Sequence, residues 1–168
     1  MNTMKKILGF LTALVLFCQT QAQKTELDAM TNKCPGGRCQ SDCWFTDCSL
    51  CCPAGTRPEC SCFFEFSRCN CKTDIMYPDA VITVHAERLT VFVGWLKQTG
   101  NRLLIPFSSF QNSLLSARTT DISGTDYRVS PDKYAAALAA FEKAVAGLSA
   151  TEDYRKAQAE IGARMLAR

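Results

Sequence analysis

Ten cysteines lie between Cys34 and Cys71, and none follows in the 97 residues after them. Cysteine therefore fills about a quarter of that stretch, against the ~10% that already marks a disulfide scaffold. Below roughly 40 residues a chain has too little interior to fold on burial alone, so cross-links must supply the difference at about 2–4 kcal/mol each. The even count permits Cys34, Cys39, Cys43, Cys48, Cys51, Cys52, Cys60, Cys62, Cys69 and Cys71 to pair completely into bridges. Spacing alone leaves the pairing open among roughly a thousand arrangements. Cys51 and Cys52 are expected to reach different partners, because neighbours in the chain meet the bond geometry only under strain. Cys60 and Cys62 would share one face of a strand, as would Cys69 and Cys71, and the intervening Phe63-Phe64-Glu65-Phe66 run suggests a hairpin. Pro35-Gly36-Gly37 and Pro53-Ala54-Gly55 mark chain reversals.

Such a segment needs an oxidising compartment, and residues 1–22 read as an export signal. Lys5-Lys6 precedes an apolar run from Ile7 to Phe17, shorter than the roughly 20 residues of a membrane span. Cleavage is expected after Ala22; lipid attachment at Cys18 is disfavoured because the bulky Phe17 stands before it. The expected destination is the periplasm or the extracellular space, with no transmembrane segment in the mature chain. The whole chain has 19 basic and 16 acidic residues, and removal of Lys5 and Lys6 brings the balance to 17 against 16. That near-neutrality argues against nucleic acid as a partner.

Composition changes abruptly after Lys72. The expected organisation is a signal peptide (1–22), a linker (23–33), a small disulfide-rich module (34–72) and an all-α helical hairpin or bundle domain (78–168). Four helices are expected, over about 79–99, 106–118, 131–146 and 150–167. The third is opened by Ser130 and Pro131, and Tyr134, Leu138, Phe141 and Val145 recur on one stripe. For the fourth, Ser149-Ala150-Thr151-Glu152 reads as a capping box, with Tyr154, Ala157, Ile161 and Met165 facing inward. Residues 79–99 contain many β-branched side chains, which favour strands, yet their length without a turn favours a helix, and helix is the expectation here. Residues 119–129 read as a polar loop; Asp121 to Asp126 lacks the acidic alternation of a calcium loop and reads as a turn.

The chain has one histidine, His85. Glu87, two residues on, points elsewhere on a helix, so sequence gives no working dyad. No phosphate-cradling glycine loop, Gly-x-Ser-x-Gly elbow or His-Glu-x-x-His is present, and no cofactor is expected. The expectation is a secreted, non-catalytic binding protein whose partner is an extracellular or envelope protein or surface. Its contact surface is expected at Trp44, Phe45, Phe63, Phe64 and Phe66, since so small a module cannot hide five rings. The alternatives are thiolate metal binding, for which Cys48-x2-Cys51 and the Cys-x-Cys pairs have suitable spacing, and a secreted enzyme with an unrecognised site.

Overall fold

Val81 to Val84 are four β-branched residues in succession, and in the computed structural model, which describes residues 34–72 and 80–167, they form a strand. The expected leader, the linker and the composition boundary near Thr73 to Pro78 lie outside the described residues. The chain runs β1 (Arg38–Asp42), β2 (Thr46–Cys51), β3 (Pro58–Phe63), β4 (Phe66–Cys71), β5 (Val81–Val84), α1 (Ala86–Thr99) and α2 (Leu104–Ser116). It continues with β6 (Arg118–Asp121), β7 (Tyr127–Val129), α3 (Pro131–Ala146) and α4 (Glu152–Leu166).

The strands form two antiparallel sheets, one with the order β1-β2-β5-β7-β6 and one made of the β3–β4 hairpin. An all-α domain behind a separate disulfide module is therefore the wrong fold class. Strand β5 decides this: it pairs with β2 of the cysteine-rich segment on one side and β7 on the other. The expected helix over 79–99 thus begins only at Ala86, because strand partners satisfy the backbone of Val81–Val84 and bury Ile82 and Val84 on one face. Residues 119–129, expected as loop, contribute β6 and β7. The other helices keep close to their expected limits, α3 starting with Pro131 in its first turn. Thr151, not Ser149, caps α4, its side chain accepting the Tyr154 N–H at 3.2 Å.

All ten cysteines of the described residues are bridged, as Cys34–Cys51, Cys39–Cys60, Cys43–Cys62, Cys48–Cys69 and Cys52–Cys71. Two bridges join the β1 side to β3 and two join the β2 side to β4, so one hairpin is clamped over the other. Neighbouring Cys51 and Cys52 do reach different partners. Gly36 lets the first turn close against the second, since a Cβ there would stand 1.9 Å from the Pro53 carbonyl oxygen.

The β3–β4 turn is Phe64-Glu65, and both residues have positive φ, 48° and 62°. A two-residue I′ turn requires this and normally uses glycine or asparagine. Here tertiary contacts hold it: the Glu65 carbonyl accepts the Phe45 N–H at 3.0 Å and its carboxylate accepts the Trp44 N–H at 3.1 Å. The turn delivers the hairpin into one hydrophobic cluster that includes residues of both chain halves. Phe66 is fully buried, with ring centres 5.0 Å from Phe45, 4.6 Å from Phe110 and 5.2 Å from Phe141.

A buried polar knot joins the strands to α3. The Tyr134 hydroxyl donates to the Ser67 carbonyl at 2.8 Å and lies 3.1 Å from Thr46 Oγ1, which accepts the Ser67 N–H at 2.7 Å. Burial pushes the Tyr134 phenol far above its ordinary value of 10.0, outweighing the Thr46 hydrogen bond that lowers it. In the unfolded chain this phenol ionises near its ordinary value, whereas in the fold it stays neutral. Its contribution is therefore complete below about pH 10 and declines above that, by about 1.4 kcal/mol per pH unit until the folded group also ionises. Tyr134→Phe is expected to cost about 1–2 kcal/mol at neutral pH, from the unpaired Ser67 carbonyl, and to flatten the alkaline decline. Urea unfolding at a series of pH values measures both.

Candidate functional site

All five aromatic residues expected at a contact surface pack in or against the core, and two of them are fully enclosed. Phe45 and Phe66 are 0% exposed, so neither has a surface to offer. Phe63 and Phe64 are partly buried and pack edge-on against Phe141, with Phe64 also meeting Phe107 and Tyr154. Trp44 is half-buried beneath the Arg88 guanidinium, 5.6 Å from its ring centre. The module does not stand alone: rings of α1, α2, α3 and α4 pack against its own.

Sulfur chemistry is similarly committed. The Sγ atoms of Cys39, Cys60 and Cys69 lie within 4.8 Å of one another, a thiolate-like cluster in outline. Each of them is bridged, and a bridged sulfur carries no negative charge with which to ligate a cation. Bridges in this number place the folded chain in an oxidising, non-cytoplasmic environment. Among the described residues, no helix is long and apolar enough to cross a membrane.

His85 occupies the junction of β5 and α1 with only 13% of its side chain exposed. Its partners are not Glu87 but two aspartates distant in sequence. Nε2 lies 2.8 Å from Asp47 Oδ2 on β2, and Nδ1 lies 2.9 Å from Asp126 Oδ2 in the β6–β7 turn. An ionised carboxylate only accepts, so both contacts are hydrogen bonds when both nitrogens carry hydrogen. The arrangement ties β2, the β6–β7 turn and the β5–α1 junction together. Asp121, the other acid of the expected turn, pairs with Arg118. His85→Ala is expected to cost about 1–3 kcal/mol, read from the urea midpoint, because it removes hydrogen bonding between the ring and Asp47 and Asp126 from a mostly buried position.

The described surface has a concave site of a different kind where the end of α1 meets the start of α4. It is a cleft of about 480 Å³, within the range of small-ligand pockets. Trp95 and Thr99 of α1 line one side, Asn101 lies at the base, and Asp153, Lys156, Ala159 and Glu160 of α4 line the other. Trp95 is held in place by Phe92, a fully buried ring stacked on it at 5.6 Å with 19° between planes. Asn101, 4% exposed, fixes the two walls: its side-chain NH₂ donates to the Asp153 carbonyl at 2.9 Å, and its oxygen accepts the Leu103 N–H at 2.9 Å. The Thr99 hydroxyl donates to the Trp95 carbonyl at 2.9 Å and closes the last turn of α1.

Every charged side chain in the cleft has a counter-ion beside it. Asp153 accepts from Arg102 at 2.8 Å, Lys156 donates to Glu152 at 2.8 Å, and Glu160 accepts from Arg164 at 2.7 Å. The Arg102 hydrogen bond holds the Asp153 carboxyl below its ordinary range, and Glu152 holds the Lys156 ammonium above its own. Both shifts keep these groups charged at neutral pH. A larger open groove of about 600 Å³ runs between α2 and α3, but Ser109, Asn112, Ser113 and a row of alanines line it, with Lys133 as its sole charged group. Small residues at a helix junction are explained by close packing and give no convergent chemistry. In comparisons with known proteins, no family model matches the chain, and no match was found among curated proteins or solved structures.

Proposed function

We propose that this is an exported, disulfide-braced binding protein, secreted or periplasmic, that acts by noncovalent recognition through the Trp95 cleft. One observation carries the reading: a rigidly backed indole and hydrogen-bonding groups of both kinds converge on a concave site between two helices. Recognition sites combine an aromatic anchor with a few placed polar groups in this way. Phe92 packs the Trp95 wall against Phe45, and Phe64 packs against Tyr154 of the opposite wall, contacts that lower the ordering cost of binding.

The test is retention on envelope preparations of the organism that makes the chain. Wild-type protein is expected to sediment with the envelope, and Trp95→Ala to weaken retention by about tenfold or more, the scale of one lost anchor. Ala159→Arg blocks the cleft from an exposed position on α4 and is expected to do the same without disturbing the core. His85→Ala, which lies outside the cleft, is expected to be retained normally. Equal retention of folded Ala159→Arg and wild type would remove the cleft from consideration.

A further inference from the structure

We propose that the ligand of this cleft is a neutral saccharide, one ring of which lies against Trp95 while its hydroxyls bond Asp153, Lys156 and Glu160; this rests on the binding reading above. Charge is the first argument. The three acids Glu152, Asp153 and Glu160 are matched by the three bases Arg102, Lys156 and Arg164, each pair in contact. An anionic ligand at Lys156 would face Asp153 and Glu160, and a cationic one would compete with arginines already in place. A polyol brings no net charge, and each hydroxyl both donates and accepts, so one molecule can satisfy carboxylates and an ammonium together.

Surface character is the second argument. Phe92 stacks on the indole of Trp95, which lines the cleft among polar groups. A pyranose has the matching character, with C–H groups on its faces and hydroxyls around its rim. Ion pairs at the rim also suit a hydroxylated ligand, since hydrogen bonds to charged groups are about twice as strong as neutral ones. An extended peptide fits less well, since the walls are helices α1 and α4 and offer its backbone no strand edge to pair with.

The experiment treats the same envelope preparation with periodate, which cleaves vicinal diols, or with protease, and then adds the full exported chain. Retention lost after periodate and kept after protease supports the saccharide, provided that Trp95→Ala and Ala159→Arg lower the protease-resistant retention by about tenfold. Retention that survives periodate, or that protease abolishes, overturns the saccharide, and loss after protease alone points to a polypeptide partner in the same cleft. Retention before treatment that is indifferent to both substitutions overturns the cleft itself, and the two failures are thus told apart.

Discussion

Phe66→Ala is expected to lower the free energy of unfolding by about 3–5 kcal/mol, the cost of truncating a fully enclosed ring. Phe66 is 0% exposed and touches Phe45, Phe107, Phe110 and Phe141, so its removal leaves a cavity walled by other rings that cannot all collapse into it. The more telling result is where the loss is felt. Phe66 belongs to the cysteine-rich hairpin, whereas Phe107, Phe110 and Phe141 belong to α2 and α3. If the two regions shared no core, helical circular dichroism would melt at the wild-type temperature in this variant. With one core, strands and helices are expected to melt together at a lower temperature. A helical signal unchanged by Phe66→Ala would disprove the shared core.

Reduction of the disulfides is expected to have a still larger effect. Four of the bridges clamp the β1–β2 hairpin to β3–β4, and they close sequence separations of 19 to 21 residues. Each such loop is worth about 3 kcal/mol in the chain-entropy account. Loss of all five bridges therefore removes an amount comparable to the whole stability of an ordinary domain, about 5–15 kcal/mol. Because β2 carries β5, and β5 carries β7, the reduced chain is expected to lose its helices as well as its strands. Helical circular dichroism before and after reduction, with the thiols alkylated to prevent reoxidation, measures this. A reduced chain with undiminished helical signal would contradict it. Replacement of Cys52 and Cys71 together by alanine gives the graded version, with about 3 kcal/mol lost from the urea-derived stability.

Much of the architecture was legible wherever a short stretch of chain sufficed to specify it. Pro131 after Ser130, followed by Tyr134, Leu138, Phe141 and Val145, defines α3 to the residue. The alternation around Phe63 to Phe66 defines the β3–β4 hairpin. The bridge pattern was partly written there too. Cys39 and Cys43, Cys48 and Cys52, Cys60 and Cys62, and Cys69 and Cys71 all have even separations, which puts each pair on one side of an extended chain. Even the full set does not say which hairpin face meets which.

The misread segment is informative for the same reason. Val81 to Val84 can extend or coil, and what chose extension was a pair of strand partners, one some 35 residues earlier and one some 45 later. His85 stands close to Glu87 in sequence, while its partners in the fold are Asp47 and Asp126. Trp95 has no local signal of a site, because the groups opposite it lie more than 50 residues away on α4. By itself, then, the sequence determined the need for cross-links, the oxidising compartment, the β3–β4 hairpin and the helices α2, α3 and α4 to within a few residues. Tertiary structure alone decided the five-stranded sheet, the pairing of the sulfurs, the burial of the aromatic rings and the cleft. The division follows from range: propensity, capping and alternation act between near neighbours, whereas pairing and concavity depend on which distant faces exclude water from one another.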